Sequence, residues 1–161
     1  MEIKDSGNRR EFESGAVRDI ADGKGRCDLL PLDVVAICLR DIRLTYISGY
    51  IRTGQQGFLR QAISEFSKEY FGDIYTAILE VAKHYEDGCQ KYGERNWEKG
   101  LPLHCYIDSG VRHYIKVLRG DKDEPHDRAF LWNMFGALWT HQHKPELIDL
   151  PFVQYNDESE K

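Results

Sequence analysis

The sequence predicts an all-α fold, a single-domain bundle of four to five main helices. Apolar residues recur with a 3.6-residue period in long stretches, such as Ile74, Ala77, Ile78, Val81, Ala82 and Tyr85. Glycine and proline punctuate the chain between those stretches, and no stretch shows a strand's alternation of period two. At 161 residues the chain fits one domain that can bury a core without disulfides or a structural metal. Its 41% hydrophobic, 30% charged and 12% aromatic residues are ordinary globular values.

The elements follow in order. Residues 1–13 alternate charge and small polar groups without a period, and are expected to be a flexible tail. The helical domain then spans 14–150. It opens with SGAVRDIADGKGRCDLLP, an ordered loop in which Gly15, Gly23 and Gly25 allow sharp turns while Arg18, Lys24 and Arg26 alternate with aspartates. Such a loop is either a salt-bridged arm or an anion-contacting one, with Lys24 and Arg26 as its cations. Pro31 suits the start of a helix carrying Val34, Val35, Cys38, Leu39 and Ile42, expected to end near Ser48-Gly49. IRTGQQG reads as a loop, and Phe58 to Phe66 as a second helix that Gly72 stops or bends. A third helix runs from Ile74 to the glycine-punctuated KYGERNWEKGLPL. A fourth carries Leu103, Ile107, Val111 and Leu118 until Gly120 ends it. The last, from His126, is nearly all apolar from Ala129 to Trp139, so Asn133 within it must find partners. Residues 151–161 read as a loose acidic tail.

A net charge of -5 argues against binding nucleic acid or an anionic membrane directly. No segment has a membrane span's length, and the four cysteines lack metal-site spacing, so a soluble cytoplasmic protein with reduced thiols is expected. A small anionic substrate remains compatible with the charge if metal ions neutralise an acidic pocket.

Two polar knots hold the candidate chemistry, and they are expected to face one another. GDKDEPHDRAFLWN brings Asp121, Asp123, Glu124, His126 and Asp127 to a helix start, a supply of oxygen ligands for Mg²⁺ or Mn²⁺. The same acids could instead cap the helix and complement its dipole. Glu80, with Asp87, could form an opposing acidic wall. Lys91, Arg95 and Arg112 are candidates for phosphate oxygens, and Tyr92, Asn96 and Trp97 for stacking on and hydrogen-bonding a nucleobase. Trp97 could equally plug the core. The histidines show no HExxH-type zinc pair, and no serine or cysteine lies in a nucleophile elbow.

SGAVRD, GKGRCDLLP, YxxGCQKYGERNWEKGLPL, YIDSGVRHYIKVLRGDKDEPHD and the following WN together resemble the phage dATP/dGTP diphosphohydrolase family, grouped with MazG-like all-α nucleoside triphosphate pyrophosphohydrolases. The resemblance runs from about Ser14 to Trp139 and omits 44–72, which looks like an insertion. It implies metal-dependent hydrolysis of dGTP or dATP to the monophosphate and pyrophosphate, acting on the nucleotide pool during phage infection. Asp123 and His126 take the places of the family's ExxD, with Asn133 seven residues beyond His126, while EVAKHYED around Glu80 has Lys83 and His84 where a second acid belongs. The implied metal ligands are Glu80, Asp123, Glu124, His126 and Asp127. Glu80, Lys91, Arg95 and Arg112 are the catalytic candidates, and Lys24, Arg26, Lys91, Tyr92, Asn96, Trp97 and Asn133 the substrate-binding ones. MazG-like folds commonly pair across a dimer, so a homo-oligomer is expected. The alternative is a non-catalytic helical module that binds nucleotide or protein; an HD-type phosphohydrolase is disfavoured because only His126-Asp127 supplies its dipeptide.

Overall fold

Residues 4–153 are described by the structure, a computed structural model, and form six α-helices and one small hairpin. The expectations for 1–3 and 154–161 lie outside the described residues. The hairpin corrects two readings, because residues 9–11 fall in the expected tail and strands were not expected. Strand β1 (Arg9–Glu11) pairs antiparallel with β2 (Val17–Asp19), and Arg10 lies directly opposite Arg18. Three-residue strands are too short to show alternation; side-chain and backbone contacts to the helices hold them instead. Asn96 does most of this, donating from its amide nitrogen to Val17 O (2.8 Å) and accepting from Val17 N (2.9 Å).

The helix expected from Pro31 to Ser48 is two helices, α1 (Leu32–Leu39) and α2 (Ile42–Thr53). Arg40 adopts a left-handed conformation (φ 52°), and the Asp41 carboxylate caps α2 by accepting from Leu44 N at 2.9 Å. A side-chain cap offers the backbone an alternative to continuing the helix, and periodicity does not show it. Gly49, expected to stop the helix, lies inside α2, where an added Cβ would approach the Phe58 ring to 3.1 Å. Its role is close packing, and the expected loop shrinks to Gly54 and Gln55 before α3 (Gln56–Phe71). Gly72 ends α3, and Asp73 caps α4 (Ile74–Tyr92) through Thr76 N at 2.6 Å. A 3-10 turn at Asn96–Lys99 leads to α5 (Leu103–Arg119), which Gly120 ends as expected at φ 87°. Then α6 (His126–His143) follows Pro125, and a 3-10 turn at Pro145–Leu147 packs behind it.

Helices α5 and α6 form the central seam. A Cβ at Gly136 would meet the Tyr106 ring at 2.2 Å, and one at Gly110 would meet Met134 at 2.6 Å, so glycine permits the close approach at both points. Tyr106, Ile107, Val111, Tyr114, Phe130, Leu131 and Met134 are fully buried along this seam. The stretch that looked like an insertion contributes Leu44, Ile47, Tyr50, Leu59 and Phe66 to the same core, each with no exposed surface. No helix of the described residues is long and apolar enough to cross a membrane, and all four cysteines are free thiols.

Candidate functional site in the cleft between the hairpin and the central seam

A cleft of about 820 Å³ is walled by α4, α5, α6 and the N-terminal segment. That volume lies within the usual range for a small-ligand site. Each wall sends polar side chains inward because its apolar stripe is already committed to the core. Helix α5 contributes Asp108, Ser109, Arg112, His113 and Lys116; α6 contributes Trp132 and Asn133; α4 contributes His84 and Tyr92; and the hairpin segment contributes Arg10, Arg18 and Lys24.

The acidic knot stands at one edge of the cleft. Asp121, Asp123 and His126 place ligand-type atoms within 4.8 Å of one another. His126 is buried, and its Nε2 donates to Asp123 Oδ1 at 2.8 Å while its Nδ1 lies 2.8 Å from His113 Nδ1. A neutral His126 that donates from Nε2 must accept at Nδ1, which puts a proton on His113 Nδ1. The other carboxylate oxygen of Asp123 pairs with Lys4 at 2.7 Å, and these two partners, Lys4 first, hold the Asp123 carboxyl below the usual carboxylate range. Asp121 is held by Arg119, whose Nε donates at 2.8 Å. Burial pushes His84 down to about 3, with help from Arg128 and Arg18, and burial with His126 also drives His113 well below its ordinary value. Both imidazoles therefore present neutral nitrogens at neutral pH.

Of the residues singled out from sequence, the structure brings Lys24, Tyr92, Asn96, Arg112, Asp123, Glu124 and Asn133 into this cleft, with His126 behind Asp123. Asn133 is 1% exposed and finds its partners there, donating to Ala129 O at 2.8 Å and accepting from Arg18 at 3.5 Å. Arg112 donates to Asp108 and to Gly25 O, both at 2.6 Å, which clamps the glycine-rich loop onto α5. The Asn96 amide, expected at a nucleobase, is occupied at both ends by the Val17 backbone.

Others fall outside the cleft lining. Glu80 sits one turn before His84 and is paired with Lys83 at 2.6 Å. Arg26 is paired with Asp28 at 2.7 Å, and Arg95 is exposed and paired with Glu98. Lys91 holds the N-terminal segment through Lys4 O at 2.7 Å. Asp127 accepts from Arg128 N at 2.8 Å inside the first turn of α6, where a carboxylate complements the helix dipole without being the cap. Glu124, by contrast, lines the cleft and accepts there from Lys4 N at 2.7 Å. Trp97 packs edge-on against Tyr85 and Trp139, with ring centroids at 5.7 and 5.0 Å. It also lines a second cavity of about 350 Å³ with Tyr85, Tyr92, Arg95 and Trp132, which shares Tyr92, Asn96 and Trp132 with the main cleft.

Residues 73–150 match the family model described as dATP/dGTP diphosphohydrolase, N-terminal. This stretch of the chain belongs to the dATP/dGTP diphosphohydrolase family. No match was found among curated proteins or among solved structures. The family segment carries α4 to α6 and with them the acidic knot, His84, His113 and Asn133, and its all-α architecture is of the MazG-like kind. The hairpin, Lys24 and helices α1 to α3 lie before it.

Sequence reasoning missed Arg10, Ser109, His113 and Trp132 as cleft residues. Arg18 was read as part of a charged pattern without a place in the site. Their helical or extended periodicity carried no mark of the cleft, because the partners that define it lie far away in the chain.

Proposed function

We propose that the cleft binds a purine deoxynucleoside triphosphate and hydrolyses it to the monophosphate and pyrophosphate. Water attacks the α-phosphorus, the bond to the α–β bridging oxygen breaks, and pyrophosphate leaves. The observation that carries this reading is the meeting of a carboxylate-imidazole cluster and several cations in one cleft, within a segment of the diphosphohydrolase family.

Asp121, Asp123 and His126 would hold a divalent ion, with Glu124 beside them. The donor set suits Mn²⁺ at least as well as Mg²⁺, since an imidazole among the ligands fits the softer ion better. Ligation at His126 Nε2 is compatible with its surroundings, because its other nitrogen can donate to His113 instead of accepting from it. When bound, such an ion would offset phosphate charge and make bound water more acidic. Lys24, Arg112 and Lys116, which line the cleft, would take phosphate oxygens, and the aromatic cavity at Tyr85, Tyr92 and Trp97 would take the purine ring. Glu80 and Arg26 lie outside this arrangement, while Arg95 lines the aromatic cavity. The exposed apolar side chains of Leu29, Val34, Ile37 and Leu39 near α1 support a homo-oligomer. The biological setting, following the sequence resemblance, is the nucleotide pool of a phage-infected cell.

The test is incubation of purified protein with dGTP or dATP and Mn²⁺ or Mg²⁺, with product identification. Release of pyrophosphate and the monophosphate is expected, and no release from either nucleotide removes the enzymatic reading. The rival is a non-catalytic nucleotide-binding module, favoured by the existing pairing of Asp123 with Lys4 and of Asp121 with Arg119. Under it, nucleotide binds with an affinity independent of the ion.

A further inference from the structure

Two guanidinium groups on the hairpin share one face of the cleft without a counter-charge. Arg10 and Arg18 are directly opposed in the β1–β2 register, the arrangement in which like charges repel most. Both line the cleft. Arg18 Nη1 and Arg10 Nε are enclosed atoms with no hydrogen-bond partner. Arg18 does reach Ser109 Oγ at 3.3 Å and Asn133 Oδ1 at 3.5 Å, while Arg10 has a sulfur contact to Cys105 at 3.7 Å. Neither forms an ion pair among the described residues, and burial depresses the pKa of Arg18 below its ordinary value. Beneath Arg18 lie the rings of Trp132 and Tyr106, at 5.2 and 5.9 Å from the guanidinium carbon.

Aromatic faces offset part of a cation's desolvation but accept none of its in-plane N–H bonds. A charge drawn out of water is normally paired, and here two half-buried guanidiniums lie side by side, each with an enclosed and unused donor. An uncharged ligand edge could take those donors and would leave the repulsion in place. An anion relieves both, and the planar fork of arginine matches the oxygens of a phosphoryl group two at a time.

We propose that Arg10 and Arg18 form a phosphoryl-binding subsite on the hairpin side of the cleft, one that holds a phosphate or diphosphate group without a metal ion. Ser109 and Asn133 position the Arg18 fork. The subsite goes beyond the hydrolase reading, since it requires neither turnover nor an ion, and its two arginines precede the segment matched to the family.

Calorimetric titration of the whole chain with inorganic pyrophosphate, at low salt and in EDTA, tests it. Saturable one-to-one binding is expected, weakened about tenfold or more in both Arg10→Gln and Arg18→Gln and partly restored in Arg18→Lys, which keeps the charge and loses the fork. Arg60→Gln, an exposed change on α3, should leave the affinity unaltered. The subsite is overturned if the native chain binds no pyrophosphate in EDTA, if both glutamine variants keep native affinity, or if Arg60→Gln weakens binding as much as they do. Should Arg18→Gln fail to fold, Arg10→Gln decides alone, because the Arg10 guanidinium lies over the Phe12 ring at 4.8 Å and touches the Cys105 sulfur but pairs with no carboxylate among the described residues. Pyrophosphate release from dGTP with Mn²⁺, measured on the same proteins, separates the readings. Turnover without metal-free binding rejects the subsite and keeps the hydrolase, and metal-free binding without turnover does the reverse.

Discussion

Two arginines in this molecule are drawn in among aromatic rings, and their surroundings differ in one respect. Arg43, on α2, is 7% exposed and lies near the rings of Phe66, Tyr70 and Tyr114. It is also paired with Glu69 at 2.8 Å and Glu65 at 3.7 Å, and it donates to Tyr114 Oη at 3.2 Å. Tyr114 in turn donates to Asp41, the residue that caps α2. Burial opposes the charge of Arg43, yet Tyr114 and Glu69 hold its pKa above the ordinary value. For Arg18 burial prevails, with no carboxylate to answer it. The first region is neutralised within the chain and ties α2, α3 and α5 together. The second is left with charge to offer, and it opens on a cleft.

The sharpest test of this contrast comes from the cleft's acidic edge. Asp123→Asn should reduce pyrophosphate release about 100-fold or more while the melting temperature changes little, because the side chain is 43% exposed. A variant that unfolds instead would assign Asp123 to the architecture, with Arg43. Next, Arg43→Ala should cost about 2–3 kcal/mol in urea unfolding, through lost packing on three rings and the lost hydrogen bond to the buried Tyr114 hydroxyl. Arg18→Gln should cost far less, and equal losses for the two would erase the distinction. Third, Gly136→Ala forces a Cβ into the fully buried Tyr106 ring, and about 1–2 kcal/mol of overpacking should appear after the gain in helix propensity is subtracted. Because Tyr106 also lies under Arg18, pyrophosphate affinity should fall in the same variant.

The smallest effect concerns pH. The pKa of His84 is depressed in the fold to about 3, so its share of stability is complete above about 6.5 and is lost as pH falls from there toward 3. The unfolding free energy from urea titrations should therefore fall between pH 7 and 5, by about 1–2 kcal/mol for this group, and His84→Gln should flatten that decline. His104 has the opposite sign. Its contacts with Cys105 and Asp149 raise it to about 9, so its share is complete below 6.5 and is lost as pH rises through 9.

The helices were legible because apolar spacing records which face each one buries. Gly120 was legible as an end because its positive φ angle, 87°, favours a residue without a Cβ, and Gly72, read as either a stop or a bend, is a stop at the same φ. The break at Arg40 was not, since an arginine in the left-handed region carries no compositional mark and the Asp41 cap could equally be a solvent-facing acid. Gly49 misled for the converse reason: its lack of a side chain serves the Phe58 ring rather than a turn. In the site, the acidic knot could be read from its density, whereas the His113–His126 contact spans two helices and the use of Asn96 by Val17 spans 79 residues.

The sequence by itself determined an all-α bundle, the ends of most of its helices and the place where carboxylates gather, because each of these follows from local spacing and short-range chemistry. Tertiary structure alone decided which cations would be neutralised. Whether a guanidinium meets a carboxylate, an amide or an aromatic face depends on residues about 20 to 115 positions away in Arg43 and Arg18. Charge is a property of the residue, and its compensation a property of the fold.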